Sequence, residues 1–299
     1  MANTTFSGPI RSENGMKLIS KNTTTGLVSD RTVGDYPKDA RRWYLEEWFK
    51  KRPGINANLD QASTVEVQRT LNDDFEILGT NMTSALVTFG ATTGGILSTT
   101  AGADQDQAII LPHLDDDGTA DTGAITAWSG CQWGTENETH WETSIMLPAI
   151  DNQKVWAGLK LTNDQLVATD ANQAFFKFQT DATNSEAFTD FTKLHFVHSI
   201  GGTDYISQLP ITVAANTPYH LKIKIDSDRK ASIFVNGIQY NVTTTSGSTG
   251  GTAVTAGTTP TAALTDDVDF IPYNGIEAGA AAAEALNTHF IAMSRLVYE

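Results

Sequence analysis

From Thr64 onward, apolar residues recur at every second position. Val65, Val67 and Leu71 share one side of TVEVQRTL, and Trp141, Thr143, Ile145 and Leu147 share one side of HWETSIMLP. Val155, Ala157, Leu159 and Leu161 do the same in KVWAGLKLT. Phe176 with Phe178, Leu194 with Phe196, Leu221 with Ile223 and Ile225, and Ala231 with Ile233 and Val235 continue the series. The closing stretch THFIAMSRLVYE alternates too. A period of two describes strands with one buried and one wet face. The separators are turn-rich: Thr93-Gly94-Gly95, Asp115 to Gly118, Gly201-Gly202-Thr203-Asp204 and Asn236-Gly237. Many such strands with no interleaved helices predict an all-β sandwich or barrel rather than a parallel α/β sheet.

The pattern before Thr64 is different. Residues 1–34 are polar, with isolated apolar anchors at Phe6, Ile10, Leu18, Ile19, Leu27 and Val28. Such a segment cannot build a core of its own. It is either a loose tail or an extended arm laid on a neighbour's surface, where spaced anchors fill shallow pockets. Residues 37–51 read as one short helix. Asp35 caps it, Pro37 opens it, Lys50, Lys51 and Arg52 crowd its C-terminal end, and Pro53-Gly54 stops it. Trp43, Tyr44, Leu45, Trp48 and Phe49 would share a broad apolar face, packed either on the chain's own sandwich or against another subunit. The expected organisation is therefore an arm and helix over 1–63 and a sandwich over 64–299. Within the sandwich, Thr243 to Asp267 is a Thr-, Gly- and Ala-rich run expected to be a surface loop, mobile or held by a neighbour. The Ala-rich piece Glu277 to Leu286 is expected to form a short helix before the last strand.

Composition narrows the partners. The 299 residues carry a formal net charge of −15 and an isoelectric point near 4.7. Binding nucleic acid through its phosphates needs the opposite balance, so neither DNA nor RNA is an expected partner. No apolar stretch approaches the roughly 18 residues of a membrane span, so no membrane partner is expected. Cys131 is the only cysteine, which excludes an internal disulfide and reads as a small buried apolar residue. MANTTFSGPI lacks a basic start followed by an apolar run, so a protein made in a host cytoplasm and not secreted is expected. The Asn-x-Thr sequons at Asn3, Asn22, Asn81, Asn137 and Asn241 are then by-products of a Thr-rich composition.

Two resemblances go beyond pattern. YHLKIKIDSDRKASIFVNGIQY is similar to the hairpin near the end of concanavalin-like and laminin-G-like jelly rolls. FIPYNGIEAGAAAAEAL through THFIAMSRLVYE resembles their closing strands, and WETSIMLP with KVWAGLKLTNDQLVATDANQAFFKF their middle strands. The implied fold is all-β: a concanavalin-like jelly-roll β-sandwich preceded by an extended N-terminal arm and one short helix. The opening MANTTFSGPIRSENGMKLISKNTTTG, NDDFEILGTN, and DQAIILPHLD with WGTENETHWE resemble virion structural proteins of marine tailed phages such as those infecting cyanobacteria.

Candidate chemistry is sparse. Glycosidases built on this sandwich resemble one another in a Glu-x-Asp-x-Glu strand, which sets carboxylates close enough to flank a sugar bond. Here Asp74-Phe-Glu76 and Asp267-Val-Asp269 are only pairs beside turns. His195 and His198, three apart on an expected strand, point to opposite faces and suit no strand metal site. No GxSxG elbow, P-loop or GxGxxG occurs. Asp115, Asp116, Asp117 and Asp121 in LDDDGTADTG could offer hard oxygen ligands to Ca²⁺, with Asp115, Asp117 and Asp121 as the ligand candidates, although the spacing misses the EF-hand pattern. Trp128, Trp133 and Trp156 are core candidates before they are sugar-stacking ones.

The resemblances imply a non-enzymatic structural protein without cofactor: a capsid decoration or cement protein on the outer surface of a tailed-phage head. Its partners would be the major capsid protein and other copies of itself in a homo-oligomer, a trimer where shells offer threefold sites. The interaction residues would be Phe6, Ile10, Leu18 and Ile19 on the arm and Trp43, Tyr44, Trp48 and Phe49 after it. The alternative is a fibre or spike adhesin module that binds host surface glycans.

Overall fold

In a computed structural model of the chain, the described residues are 16–21, 28–33, 42–50, 53–56, 75–79, 81–90, 94–112, 133–162, 164–180 and 186–297. β1 (Met16–Lys21) and β2 (Val28–Val33) form an antiparallel hairpin that is a two-stranded sheet by itself. The strands that follow are β3 (Arg42–Glu47), β4 (Gly54–Asn56), β5 (Glu76–Leu78), β6 (Val87–Phe89), β7 (Ile96–Thr99), β8 (Gln107–Leu111), β9 (Trp133–Gly134) and β10 (His140–Met146). Next come β11 (Gln153–Lys160), β12 (Gln173–Gln179), β13 (Lys193–Ile200), β14 (Thr203–Thr212), β15 (Pro218–Ile225) and β16 (Ala231–Val235). The chain closes with β17 (Ile238–Tyr240), β18 (Thr252–Ala253), β19 (Asp269–Ala278) and β20 (Ala285–Leu296).

These strands make two facing sheets. The eight-stranded sheet runs β17-β16-β15-β10-β20-β7-β6, with β3 also paired to β20. The ten-stranded sheet runs β18-β14-β13-β12-β11-β19-β8-β5-β4, with β9 also paired to β19. The architecture is a jelly-roll β-sandwich of the concanavalin-like kind. Its core is built from the alternating residues: Trp141, Ile145, Leu221, Ile223 and Ile233 from one sheet meet Val155, Leu159, Phe176 and Phe196 from the other. Phe176 and Phe196 meet edge-on, with centroids 5.4 Å apart, the geometry that aromatic quadrupoles favour.

The helix expected over 37–51 is not what residues 42–47 form. They are strand β3, in register with β20 from Glu47 opposite Ile291 to Arg42 opposite Leu296. Trp43 and Tyr44 suit a pleated surface as well as they suit a helix, and the free edge of β20 supplies a six-residue ladder that outweighs local helix preference. The fourfold spacing of aromatics that suggested one helical face instead divides them. Leu45 and Phe49 turn into the core, while Glu46 and Trp48 turn out. β3 and β4 both precede residue 64, so the sandwich sheets draw on chain from both sides of that position.

The Ala-rich piece Glu277 to Leu286 is not a helix either. Glu277 and Ala278 end β19, Ala285 and Leu286 begin β20, and the alanines between them carry the chain from one sheet to the other. Glu277 is tied to Lys154 and Leu286 lies in the core, so the two ends are fixed by packing, not by helix propensity. The run Thr243 to Asp267 is irregular apart from the two-residue strand β18, and it is held by its own sandwich. Val254 N donates to Gln208 O at 3.0 Å, Thr261 N to Ala231 O at 3.0 Å and Leu264 N to Arg229 O at 2.8 Å.

Neighbouring aromatics now differ sharply in burial: Trp48 is 50% exposed and Phe49 is 1% exposed. Truncating Phe49 to Ala should cost about 3–5 kcal/mol, as large buried aromatics do, whereas Trp48→Ala should cost under about 1 kcal/mol. Chemical denaturation of the two variants checks this; a large loss for Trp48→Ala would contradict the strand assignment.

Candidate functional site

Two sheet faces point away from the core, and they differ. On the outer face of the ten-stranded sheet, alternation put Lys154, Trp156 and Lys160 of β11, Gln173, Phe175, Lys177 and Gln179 of β12, and His195, Val197 and Ser199 of β13. In sequence, alternation gives these positions to the wet side, although Trp156 is a core candidate by its size. All of them are buried. A second apolar cluster, including Trp156, Phe175, Phe188, Val197, Ile206 and Tyr273, fills the middle of this face. Trp156 lies across β19 at Gly275, where a Cβ would stand 2.3 Å from the indole ring. Only glycine admits the indole there.

The lysines are held one by one. Lys154 Nζ meets Glu277 Oε1 at 2.6 Å, and the other oxygen of Glu277 accepts from Gln107. Lys160 Nζ meets Gln173 Oε1 at 2.6 Å and Asp170 Oδ2 at 3.0 Å, and lies 4.5 Å from the centre of the Phe175 ring. Lys177 Nζ donates to Gln165 O at 2.7 Å, to Gln165 Oε1 at 2.6 Å and to Glu186. That accounts for the three N–H groups of an ammonium. The same groups fasten the covering segments. Asp170 accepts the backbone N–H of Leu161 and Thr162, Glu186 that of Val167, and Gln173 donates to Val167 O at 2.6 Å. Burial depresses the Lys177 pKa to about 8 against the opposing pull of Glu186, and burial likewise lowers Lys160 against Asp170. The described carboxylates facing this sheet are thus engaged by lysines, and Asp204 accepts from Ser199.

His195 and His198 lie on opposite faces of β13, as their spacing requires. His195 stacks on Phe188 at 4.1 Å, and His198 stacks on Tyr205 at 4.6 Å. Burial lowers their pKa values to about 4 and about 3, so both imidazoles are neutral in the fold.

The outer face of the eight-stranded sheet is open by comparison. Trp48 lies against Phe290 with centroids 4.8 Å apart, and its indole N–H donates to Glu46. His220 is 5.6 Å from the same Phe290 ring. Glu142 reaches His220 at 3.3 Å and Lys222 at 3.6 Å, and Ser144 Oγ pairs with His289 Nδ1 at 3.0 Å.

Of the expected interaction residues, Trp43 and Phe49 serve the interior: Trp43 packs on Trp133 at 5.0 Å and Phe49 on Phe75 at 5.7 Å. Tyr44 is half-buried on β3, and Trp48 alone of the four is exposed. Leu18 and Ile19 fall on β1, opposite Arg31 and Asp30. Phe6, Ile10, Cys131, Trp128 and the calcium candidates Asp115, Asp117 and Asp121 lie outside the described residues. Among the described residues no group of three or more His, Cys, Asp or Glu side chains could hold a metal ion. Asp267 and Asp269 sit at the start of β19, where Asp269 is opposite Gly134 and Asp267 takes a positive φ of 56°. The residues that sequence reasoning passed over are Phe290, Glu142 and His220. Their signal was a large aromatic at a wet position of THFIAM, in phase with acids and imidazoles on neighbouring strands.

No protein-family model matches the sequence, and no curated protein matches it. Solved structures with a similar backbone include a protein of unknown function from Shewanella oneidensis MR-1, at 10% identity and a TM-score of 0.47, covering 86% of this chain and 87% of that one. The potassium-bound carbohydrate recognition domain of Emp46p is similar at 8% identity and a TM-score of 0.43, covering 79% of this chain and 95% of that one. The catalytic domain of an endo-1,3-beta-glucanase (laminarinase) from Thermotoga petrophila RKU-1 is similar at 10% identity and a TM-score of 0.46, covering 85% of this chain and 97% of that one.

Two outcomes follow from the covered face. Lys177→Met should destabilise by about 3–5 kcal/mol because it strands Glu186, while Lys177→Met with Glu186→Leu should recover most of that loss. A double variant as unstable as the single one would show that the pair does more than neutralise itself. For the histidines, the folded pKa values of about 4 and 3 lie below the ordinary 6.5. The unfolded chain therefore takes up protons that the fold excludes, and stability present above pH 6.5 is lost as pH falls towards 4. The slope is about 1.4 kcal/mol per pH unit for each imidazole. Melting curves across that range should show a shallower slope for His198→Phe; an unchanged slope would mean that His198 titrates normally.

Proposed function

We propose that the chain is a non-enzymatic virion structural protein, a decoration or cement protein on the outer surface of a tailed-phage head, tied down by its N-terminal segment. The observation that carries the reading is the β1–β2 hairpin. Among the described residues it forms its own sheet and joins no ladder of the sandwich. A lone two-stranded hairpin is marginal in water, so this one calls for a surface to lie on. The sandwich, in contrast, holds its own core and covers one outer sheet face with its own loops.

The remaining support is electrostatic and chemical. A net charge of −15 is unfavourable next to packaged DNA and suits the outside of a shell. The acids facing the ten-stranded sheet neutralise buried lysines, which leaves them poorly placed for acid–base chemistry on a sugar. The partner is then the major capsid protein, engaged by several hairpins of a symmetric homo-oligomer, a trimer at a threefold site. Linked weak contacts would give avidity of about 10²–10⁴ over one contact. The alternative reading, an adhesin module for host surface glycans, draws its support from the exposed Trp48–Phe290 pair.

Deleting residues 1–34 should leave the melting curve of the sandwich unchanged and lower binding to undecorated heads by about a hundredfold or more. Sedimentation of the truncated protein with such heads reads this out. Full-strength binding without the segment, or intact protein found only on tails, would overturn the proposal.

A further inference from the structure

We infer that the open face of the eight-stranded sheet carries a binding platform for neutral glycans, centred on Trp48 and Phe290. The registers of β20, β10 and β15 place Phe290, Ser144 and His220 side by side, and Trp48 extends the row just beyond β3. With strands about 4.8 Å apart, the row spans about 14 Å, the length of a short oligosaccharide. A register shift between Ser144 and Ile145 borders this row. β20 gains one residue there, so that both His289 and Phe290 stand opposite Ser144. Phe290 points outward by alternation with the core residues Ile291 and Met293, and the bulge lets Leu286, on the other side of it, still reach the core.

The chemistry is that of sugar recognition. A pyranose ring has a face of C–H groups and an edge of hydroxyls. The C–H face, weakly positive, stacks on the negative face of an aromatic ring. Trp48 is half exposed, is backed on one side by Phe290, and has its N–H held by Glu46, so its ring is oriented before any ligand arrives. The next row across the same strands is Glu46, Ala292, Glu142 and Lys222. It places carboxylates, an ammonium and the small Ala292 alongside the rings. A carboxylate has about four acceptor positions, so Glu142 can take sugar hydroxyls while it keeps Lys222.

The same row chooses the ligand class. Glu46 and Glu142 stand in this row against Lys222 alone, so it carries no cationic surplus to select an anionic ligand. A protein partner fits less well, because interface cores are depleted of charged side chains and a specific interface needs about 800 Å² per partner. Here charged residues adjoin a patch of one indole, one phenyl and one imidazole. The platform does not depend on attachment to a capsid; either property can fail without the other.

The test uses the full-length protein away from any particle. Tryptophan fluorescence is followed while cellohexaose, laminarihexaose, mannohexaose or alginate is added, and the difference from Trp48→Phe isolates the share of Trp48 among the six tryptophans. A saturable change with at least one neutral hexasaccharide is expected, with Kd of about 1 mM or tighter. Trp48→Ala and Phe290→Ala should each weaken binding, read calorimetrically, by roughly tenfold or more, with unchanged melting curves. Trp48→Phe should retain most of the affinity, which keeps the test informative if an alanine variant folds poorly. No saturation by any neutral hexasaccharide up to about 10 mM, binding unaffected by Trp48→Ala, or preference for alginate over all three would overturn the inference.

Discussion

An ammonium group taken out of water must find acceptors, and this fold sets three of them on one dry sheet face. Most of what surrounds that face follows. Lys154, Lys160 and Lys177 recruit Glu277, Asp170 and Glu186, and the segments bearing Asp170 and Glu186 are laid over the strands in the process. Ion pairs of this kind add little net stability relative to apolar residues of the same volume. What they add here is position. A loop whose carboxylate must reach a particular lysine has few alternative placements, and the aromatics Trp156, Phe175 and Phe188 are sealed beneath it.

The result is an asymmetric sandwich. The ten-stranded sheet is covered on both sides, so its central strands are rigid and their polar groups are committed. The eight-stranded sheet keeps one face in water, with Trp48, Phe290 and His220 along it. A ligand or neighbour that meets the sandwich at a sheet therefore meets the second one. This division suits the proposed attachment through the N-terminal hairpin, which among the described residues shares no ladder with the sandwich.

Much of the sandwich was legible in the sequence because alternation is a local signal. β10, β15 and β16 bury the residues that the pattern assigned to the core. Local signals also misled. Trp43, Tyr44, Leu45, Trp48 and Phe49 have spacings that a helix and a bent strand share, and only the free edge of β20, some 250 residues away along the chain, decides between them. Lysine and glutamine on β11 and β12 code for water unless their partners are known. For Lys154 that partner is Glu277, 123 positions distant. The exposed platform was hidden for a related reason: Phe290 alternates with the core residues Ile291 and Met293, but its neighbours Trp48, Ser144 and His220 come from three other parts of the chain.

We propose that the N-terminal hairpin is completed by a surface outside the chain, while the sandwich holds its own core. Hydrogen exchange of the free protein and of the protein bound to phage heads compares the two states directly. Amides of residues 16–33 should exchange rapidly in the free protein and become strongly protected on the head, with the amides of β10 to β13 equally protected in both. Protection of 16–33 that is already complete in the free protein, or that fails to rise on the head, would contradict the account.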